Sequence, residues 1–248
     1  MNNMQRALGR VINRLLEPLG YRISRRPKTA SAFATPQGLG LQDALARVSR
    51  RGLAVNTLID VGASTGQWTR VARPYFPEAH CLLIEANTVH AADLRRFQQE
   101  TSRVDYVLTA AGDTVGEIYF DAREPFGGLA SHTPLEVPTI RVPVTTIDTL
   151  VAERRLQPPY LIKLDTHGFE VPILEGARQA LTDTSLLIIE AYNFRLNPDS
   201  LKYYELCAYL NARGFMTIDL CDPLFRTSDN ALWQFDLFFA RAEGVLNG

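Results

Sequence analysis

Three segments put reactive side chains where strands should end. In the first, Leu58-Ile59-Asp60-Val61-Gly62-Ala63-Ser64-Thr65-Gly66, an apolar run carries one acid and passes into a small-residue turn before a helix from about Gln67. Glycines there let the chain turn sharply and approach a ligand closely, and the helix start offers free amide donors. The second, His80-Cys81-Leu82-Leu83-Ile84-Glu85, closes on an acid 19 residues after Gly66. A carboxylate in that place can accept hydrogen bonds from both hydroxyls of a ribose. The third, Ile162-Lys163-Leu164-Asp165-Thr166-His167-Gly168, ends an apolar run on an acid, a histidine and a glycine.

The first two segments together predict a nucleotide-like cofactor. The glycine spacing decides which. A dinucleotide pyrophosphate needs G-x-G-x-x-G against a helix start, whereas here the spacing is G-x-x-x-G with Asp60 just ahead. An acid in that place repels a pyrophosphate and suits an ammonium group. S-adenosylmethionine has an ammonium, a sulfonium and no phosphate, so the electrostatics favour it over NAD. A nicotinamide-dependent reductase remains the alternative enzyme class. The third segment supplies candidate catalysts: an imidazole can take a proton from a hydroxyl near neutral pH. Glu190, followed by Tyr192 and Asn193, ends a further strand-like run. Asp165, Glu190 and Asn193 could offer oxygens to Mg²⁺, a reading the residues permit but do not favour. His132 and Ser131 fit substrate contacts or plain surface equally, and Trp68 reads as a packing residue.

Such residues need a frame that brings strand ends together. Apolar runs at Thr57–Val61, Cys81–Glu85, Val104–Leu108, Tyr160–Leu164, Ser185–Glu190, Met216–Leu220 and Trp233–Phe239 alternate with helical stretches near 41–51, 67–75, 88–99, 146–155, 170–181 and 201–213. Strands separated by helices imply crossovers, hence a mainly parallel sheet covered on both faces. The predicted fold is α/β, a doubly wound, mainly parallel seven-stranded sheet. Gly116–Phe120 and Thr139–Val144 interrupt the alternation and read as an inserted antiparallel pair (insert about 114–145). The Gly- and Pro-rich loop between them is a candidate lid.

The chain has 248 residues, 46% hydrophobic and 21% charged. That is ample for a large core, and no apolar run approaches the ~20 residues that cross a bilayer. Three cysteines without ligand spacing argue against a disulfide framework or a zinc site and fit a cytoplasmic setting. Residues 1–30 carry seven basic groups against Glu17, leaving 19 basic and 26 acidic groups elsewhere. An acidic body disfavours nucleic acid as a partner. The basic N-terminus reads as an amphipathic helix over 1–23 and a linker over 24–40, ahead of a catalytic domain over 41–248. Its apolar stripe and arginines suit peripheral contact at the inner face of a membrane through residues 1–28, or packing on the body or on a second subunit of a homo-oligomer.

The run Asp60–Gly66, Glu85-Ala86-Asn87, Ala110-Ala111-Gly112-Asp113, and Asp165–Gly168 followed by Glu170 and Leu174-Glu175-Gly176, resembles the FkbM-type methyltransferases over about residues 55–240. The resemblance implies a Rossmann-like class I fold and S-adenosylmethionine-dependent O-methylation of a saccharide, glycolipid or natural-product hydroxyl. It further implies that Asp60, Gly62, Ala63, Ser64 and Gly66 meet the methionine part and Glu85 with Ala86 the ribose. Thr109, Ala110 and Ala111 would then flank the adenine, and Asp165 would lie near the sulfonium. The chain departs from the family in one place: His167 stands where Asp-x-Glu-Gly is usual. Asp165, His167 and Glu190 are therefore the candidate catalytic set, and a non-catalytic cofactor-binding scaffold is the remaining alternative.

Overall fold

The computed structural model describes residues 38–242. The predicted helix over 1–23, and the linker up to residue 37, lie outside them. Eighteen elements follow in order: α1 (Leu41–Ser49), β1 (Thr57–Val61), α2 (Gln67–Ala72), β2 (His80–Glu85), α3 (Ala91–Glu100), β3 (Val104–Leu108), β4 (Ala110–Ala111), β5 (Gly116–Asp121), β6 (Leu129–Ser131), β7 (Ile140–Thr145), α4 (Ile147–Arg154), β8 (Tyr160–Leu164), α5 (Glu170–Glu175), α6 (Arg178–Thr182), β9 (Thr184–Tyr192), α7 (Tyr203–Asn211), β10 (Phe215–Phe225) and β11 (Leu232–Arg241).

The main sheet has seven strands in the order β10-β11-β9-β8-β1-β2-β3. β1 pairs in parallel with β2 on one side and β8 on the other, and β11 is antiparallel to both its neighbours. The chain winds outward from β1 to β3, then returns to the far side of β1 as β8. The β1/β8 junction is thus the point where strand order reverses, the position at which open α/β sheets bind ligands. Strand alternation divides the core in two. Ile59, Val61, Leu82, Ile84, Ile162 and Leu164 pack with Ile147, Leu174 and Leu206 on one face. Leu58, Cys81, Leu83 and Leu161 pack with Leu45, Leu94 and Phe97 on the other. Cys81 and Cys221 are buried free thiols.

The predicted antiparallel pair is present as β5 and β7, and two expectations are refined. That pair belongs to a separate four-stranded sheet, β4-β7-β5-β6. β4 pairs with β7 in parallel, and part of the predicted lid loop forms β6 against β5. The helix read over 170–181 is two short helices, broken at Gly176. There the chain lies so close to the insert that a Cβ would sit 1.9 Å from the Gly112 carbonyl oxygen. No helix among the described residues is long and apolar enough to cross a membrane.

Candidate active site

The ends of β1, β2, β3 and β8 surround a cavity of about 190 Å³. Its floor is the β1 turn. Gly62 has φ +74°, and a Cβ there would stand 2.0 Å from the Asp165 carbonyl oxygen, so only glycine allows β1 and β8 to end side by side. Ser64 also has positive φ, at +49°. Its backbone N–H donates to Glu85 Oε2 at 2.6 Å, and the Asn87 N–H donates to Glu85 Oε1 at 2.7 Å. Burial raises the Glu85 carboxyl above its ordinary value, although those two bonds pull it back. The insert closes the cavity with Phe120, Pro125, Phe126 and Ala130. His90 ties that wall to the β2 side, its Nε2 lying 2.7 Å from the Pro125 carbonyl.

Of the predicted cofactor residues, Gly62, Ser64, Glu85, Ala86, Ala110, Ala111 and Asp165 line this cavity, as does Thr109. Ala63, Gly66 and Asp60 do not. Ala63 is buried and Gly66 caps α2. Asp60 needs a correction, because strand alternation turns it to the face opposite Ile59 and Val61. Its carboxylate is fully buried, accepts the Thr69 hydroxyl at 2.6 Å and lies 3.6 Å from Lys163 Nζ. It therefore acts through Lys163 rather than by touching a ligand's ammonium.

Lys163 is a residue that the sequence reading left without a role. It stands beside Asp60 in the β1–β8 register, 2% exposed, and donates to Asp165 Oδ2 at 2.9 Å. Its ammonium also lies 5.6 Å from the centre of the Trp68 ring. Burial opposes the charge, but Asp165 and Asp60 outweigh it and hold Lys163 protonated above its ordinary range. In turn, burial pushes Asp165 up while Lys163 pulls it further down, so this carboxyl stays ionised below its ordinary value. A lysine inside the apolar run YLIKL was the available signal, since a buried charge must find a partner.

His167 lies at the outer edge of this network. Its backbone has φ +52°, a conformation held by Glu170, whose Oε1 accepts the Gly168 N–H at 2.9 Å and the Thr166 hydroxyl at 3.2 Å. His167 Nδ1 lies 3.3 Å from the Gly128 carbonyl, which can only accept, so Nδ1 carries the proton there. Nε2 lies 3.7 Å from both Asp165 Oδ1 and Glu190 Oε2. Glu190 takes hydrogen bonds from Tyr192 and Gln234. Burial and then the Asp165 charge nonetheless push its carboxyl well above the ordinary value. The structure thus brings Asp165, His167 and Glu190 together, with ligand atoms all within 4.8 Å. Asn193, considered as a Mg²⁺ ligand, instead donates to the Leu232 carbonyl. His132 lies 3.4 Å from Asp113.

Among the described residues the cavity lining holds the carboxylates of Glu85 and Asp165 and no Lys or Arg. Those carboxylates suit a sulfonium and an ammonium. The glycine cradle and Glu85 at the β2 end accordingly fit S-adenosylmethionine.

Comparison with known proteins gives the same direction. The family model for the methyltransferase FkbM domain matches residues 60–216. Among solved structures, methyltransferase FkbM from Methylobacillus flagellatus KT is 21% identical, covering 77% of this chain and 46% of that one with a TM-score of 0.51. The chain thus spans under half the length of that protein. Precorrin-6y C5,15-methyltransferase from Geobacter metallireducens GS-15 is 13% identical over 84% of this chain and 94% of that one, with a TM-score of 0.42. Streptococcus pneumoniae Sp1610, in complex with S-adenosyl-L-methionine, is 11% identical over 79% and 71%, with a TM-score of 0.45. A search of curated proteins returned no match.

Proposed function

The chain belongs to the FkbM family of S-adenosylmethionine-dependent methyltransferases, and from that premise we propose that it methylates a hydroxyl oxygen of a saccharide, glycolipid or similar natural-product acceptor. The observation that carries the oxygen specificity is the placement of His167, with Nδ1 3.3 Å from the Gly128 carbonyl and Nε2 3.7 Å from two carboxyl groups. An alcohol is a poor nucleophile until its proton can leave, so its methylation calls for such a base.

When bound, S-adenosylmethionine supplies a methyl group on a sulfonium, an electrophile that needs no metal or covalent intermediate. Glu85 holds the ribose, and the Gly62 turn lets that ligand settle against the ends of β1 and β8. Asp165, kept ionised by Lys163, sets a negative charge beside the reacting centre. His167 would take the acceptor's proton on Nε2 as that oxygen receives the methyl group. Asp165 and Glu190 then face the imidazolium. Aligning acceptor and methyl supplies much of the remaining rate.

The acceptor is reached from a cytoplasmic enzyme, and the basic segment 1–28 is proposed to carry it to an anionic membrane surface where lipid-linked glycans are presented. Incubation with methyl-labelled S-adenosylmethionine and a panel of glycans and glycolipids, read by mass analysis, tests the proposal. A gained methyl on an acceptor hydroxyl supports it, and transfer to nitrogen or carbon alone overturns it.

A further inference from the structure

The insert is fastened unevenly where it meets the cavity. Arg123 grips Asp121 through Nε at 2.9 Å and Nη2 at 2.8 Å, which fixes the chain as it leaves β5. Gly128 fixes the far end, because a Cβ there would run into the Phe120 ring, and its carbonyl lies 3.3 Å from His167 Nδ1. Between these points Glu124–Gly127 form a single turn, closed by the Gly127 N–H on the Glu124 carbonyl at 3.3 Å. Among the described residues, one hydrogen bond joins that turn to the rest of the molecule: His90 Nε2 on the Pro125 carbonyl, at 2.7 Å. The same Nε2 stands 3.5 Å from Ser64 Oγ in the β1 turn. His90 follows β2, His167 follows β8, and β1 lies between those strands. The two imidazoles therefore hold Pro125–Gly128 from either side of the β1 end. Phe126 lines the cavity yet is 70% exposed, with its ring 5.3 Å from that of His90, so it stands at the mouth.

We infer that Glu124–Gly127 is a lid on the cofactor cavity and that His90 is its latch: S-adenosylmethionine enters, and S-adenosylhomocysteine leaves, when the Pro125 carbonyl parts from His90. The inference rests on the cofactor reading above and adds the route by which that ligand exchanges. A turn with fixed ends, an exposed ring and one outside hydrogen bond has little to hold it, and segments with few buried contacts are the ones that open locally. A closed lid keeps water from the bound sulfonium, and its opening sets how fast product departs. His167 grips Gly128, at the fixed end, so the lid swings without moving the imidazole that faces the acceptor. His90 is thus a positioning residue. It holds the lid against the Ser64 turn with or without a ligand inside, so its loss speeds entry and escape alike. A residue that only touched the ligand would slow escape and leave entry unchanged.

Two measurements on the full chain test the latch. Association and dissociation rates of S-adenosylhomocysteine are read by stopped-flow competition against a fluorescent analogue of it. His90→Ala should raise both rates about three- to tenfold, the worth of one neutral hydrogen bond, and leave Kd near the parent value. His90→Gln, whose amide can donate to the same carbonyl, should return both rates toward the parent. Amide hydrogen exchange is then followed with no cofactor present. The peptide 123–129 should exchange about three- to tenfold faster in His90→Ala, with β1 and β8 unchanged and His90→Gln restored. Unchanged exchange in 123–129, or a faster off-rate with an unchanged on-rate, overturns the inference. Exchange that rises equally across β1 and β8 makes His90 a structural residue and overturns it too. A chain that binds no S-adenosylhomocysteine sinks the cofactor reading instead, and the exchange result alone then decides the lid.

Discussion

Replacing Lys163 by methionine keeps an unbranched side chain of similar length and removes one charge. Lys163 is 2% exposed and serves Asp165 at 2.9 Å and Asp60 at 3.6 Å. Asp60 is fully buried and keeps only the Thr69 hydroxyl when the ammonium is gone. Removing one partner of a buried ion pair costs about 3–5 kcal/mol, which for a domain of this size is a fall in Tm of about 6–20 °C near neutral pH. The loss should also depend on pH. Burial already raises Asp60, and burial raises Asp165 once Lys163 no longer pulls it down. A carboxyl whose folded value lies above its unfolded value of about 4 contributes fully below the unfolded value and is lost as pH rises through the folded one. The stability gap between Lys163→Met and the parent should therefore be small near about pH 5 and full near about pH 8. Urea unfolding at the two pH values, followed by circular dichroism, measures it. Asp60→Asn in the Lys163→Met background should recover part of the loss. A gap under about 1 kcal/mol, or an equal gap at both pH values, would refute the reasoning that Lys163 is the counter-ion for both acids.

Three further outcomes follow from the same geometry. His167→Ala should lower turnover about 10²–10⁴-fold while S-adenosylhomocysteine affinity, read by calorimetry, stays near the parent value; unchanged turnover in a folded variant would move the base to Glu190. Glu85→Ala should weaken S-adenosylhomocysteine by about 1.5–3 kcal/mol, because it removes the ribose acceptor and the partner of the Ser64 and Asn87 amides; an unchanged Kd would exclude Glu85 from the site. Deleting residues 1–28 should abolish co-sedimentation with anionic liposomes while sparing cofactor binding, whereas an N-terminus that packs on the body or a second subunit predicts no sedimentation of the full chain even at low salt.

Much of the frame could be read because buried parallel strands are uninterrupted apolar runs. β1, β3 and β8 begin and end at the residues expected from their runs, and Asp165 follows directly on β8, whereas β9 runs two residues past Glu190 to Tyr192. What could not be read depends on long-range approach or on phase. β4 and β6 have two and three residues, too few for any alternation to register. The break at Gly176 is set by Gly112, far along the chain. Asp60 shares a sheet face with Leu58, but which face carries the cavity is fixed by the insert and not by the strand's own sequence. The pairing of His167 Nδ1 with Gly128 likewise joins loops next to separate sheets, 39 residues apart in sequence.

The central claim is that a methyl group passes from S-adenosylmethionine to an alcohol oxygen with His167 as base. Carbon NMR of products formed with ¹³C-methyl S-adenosylmethionine and saccharide acceptors tests it most directly. The account predicts a methoxyl carbon on a sugar ring, formed by the full chain and lost in His167→Ala. A labelled methyl on nitrogen or carbon, or none transferred to any hydroxyl while S-adenosylhomocysteine still binds, would contradict it.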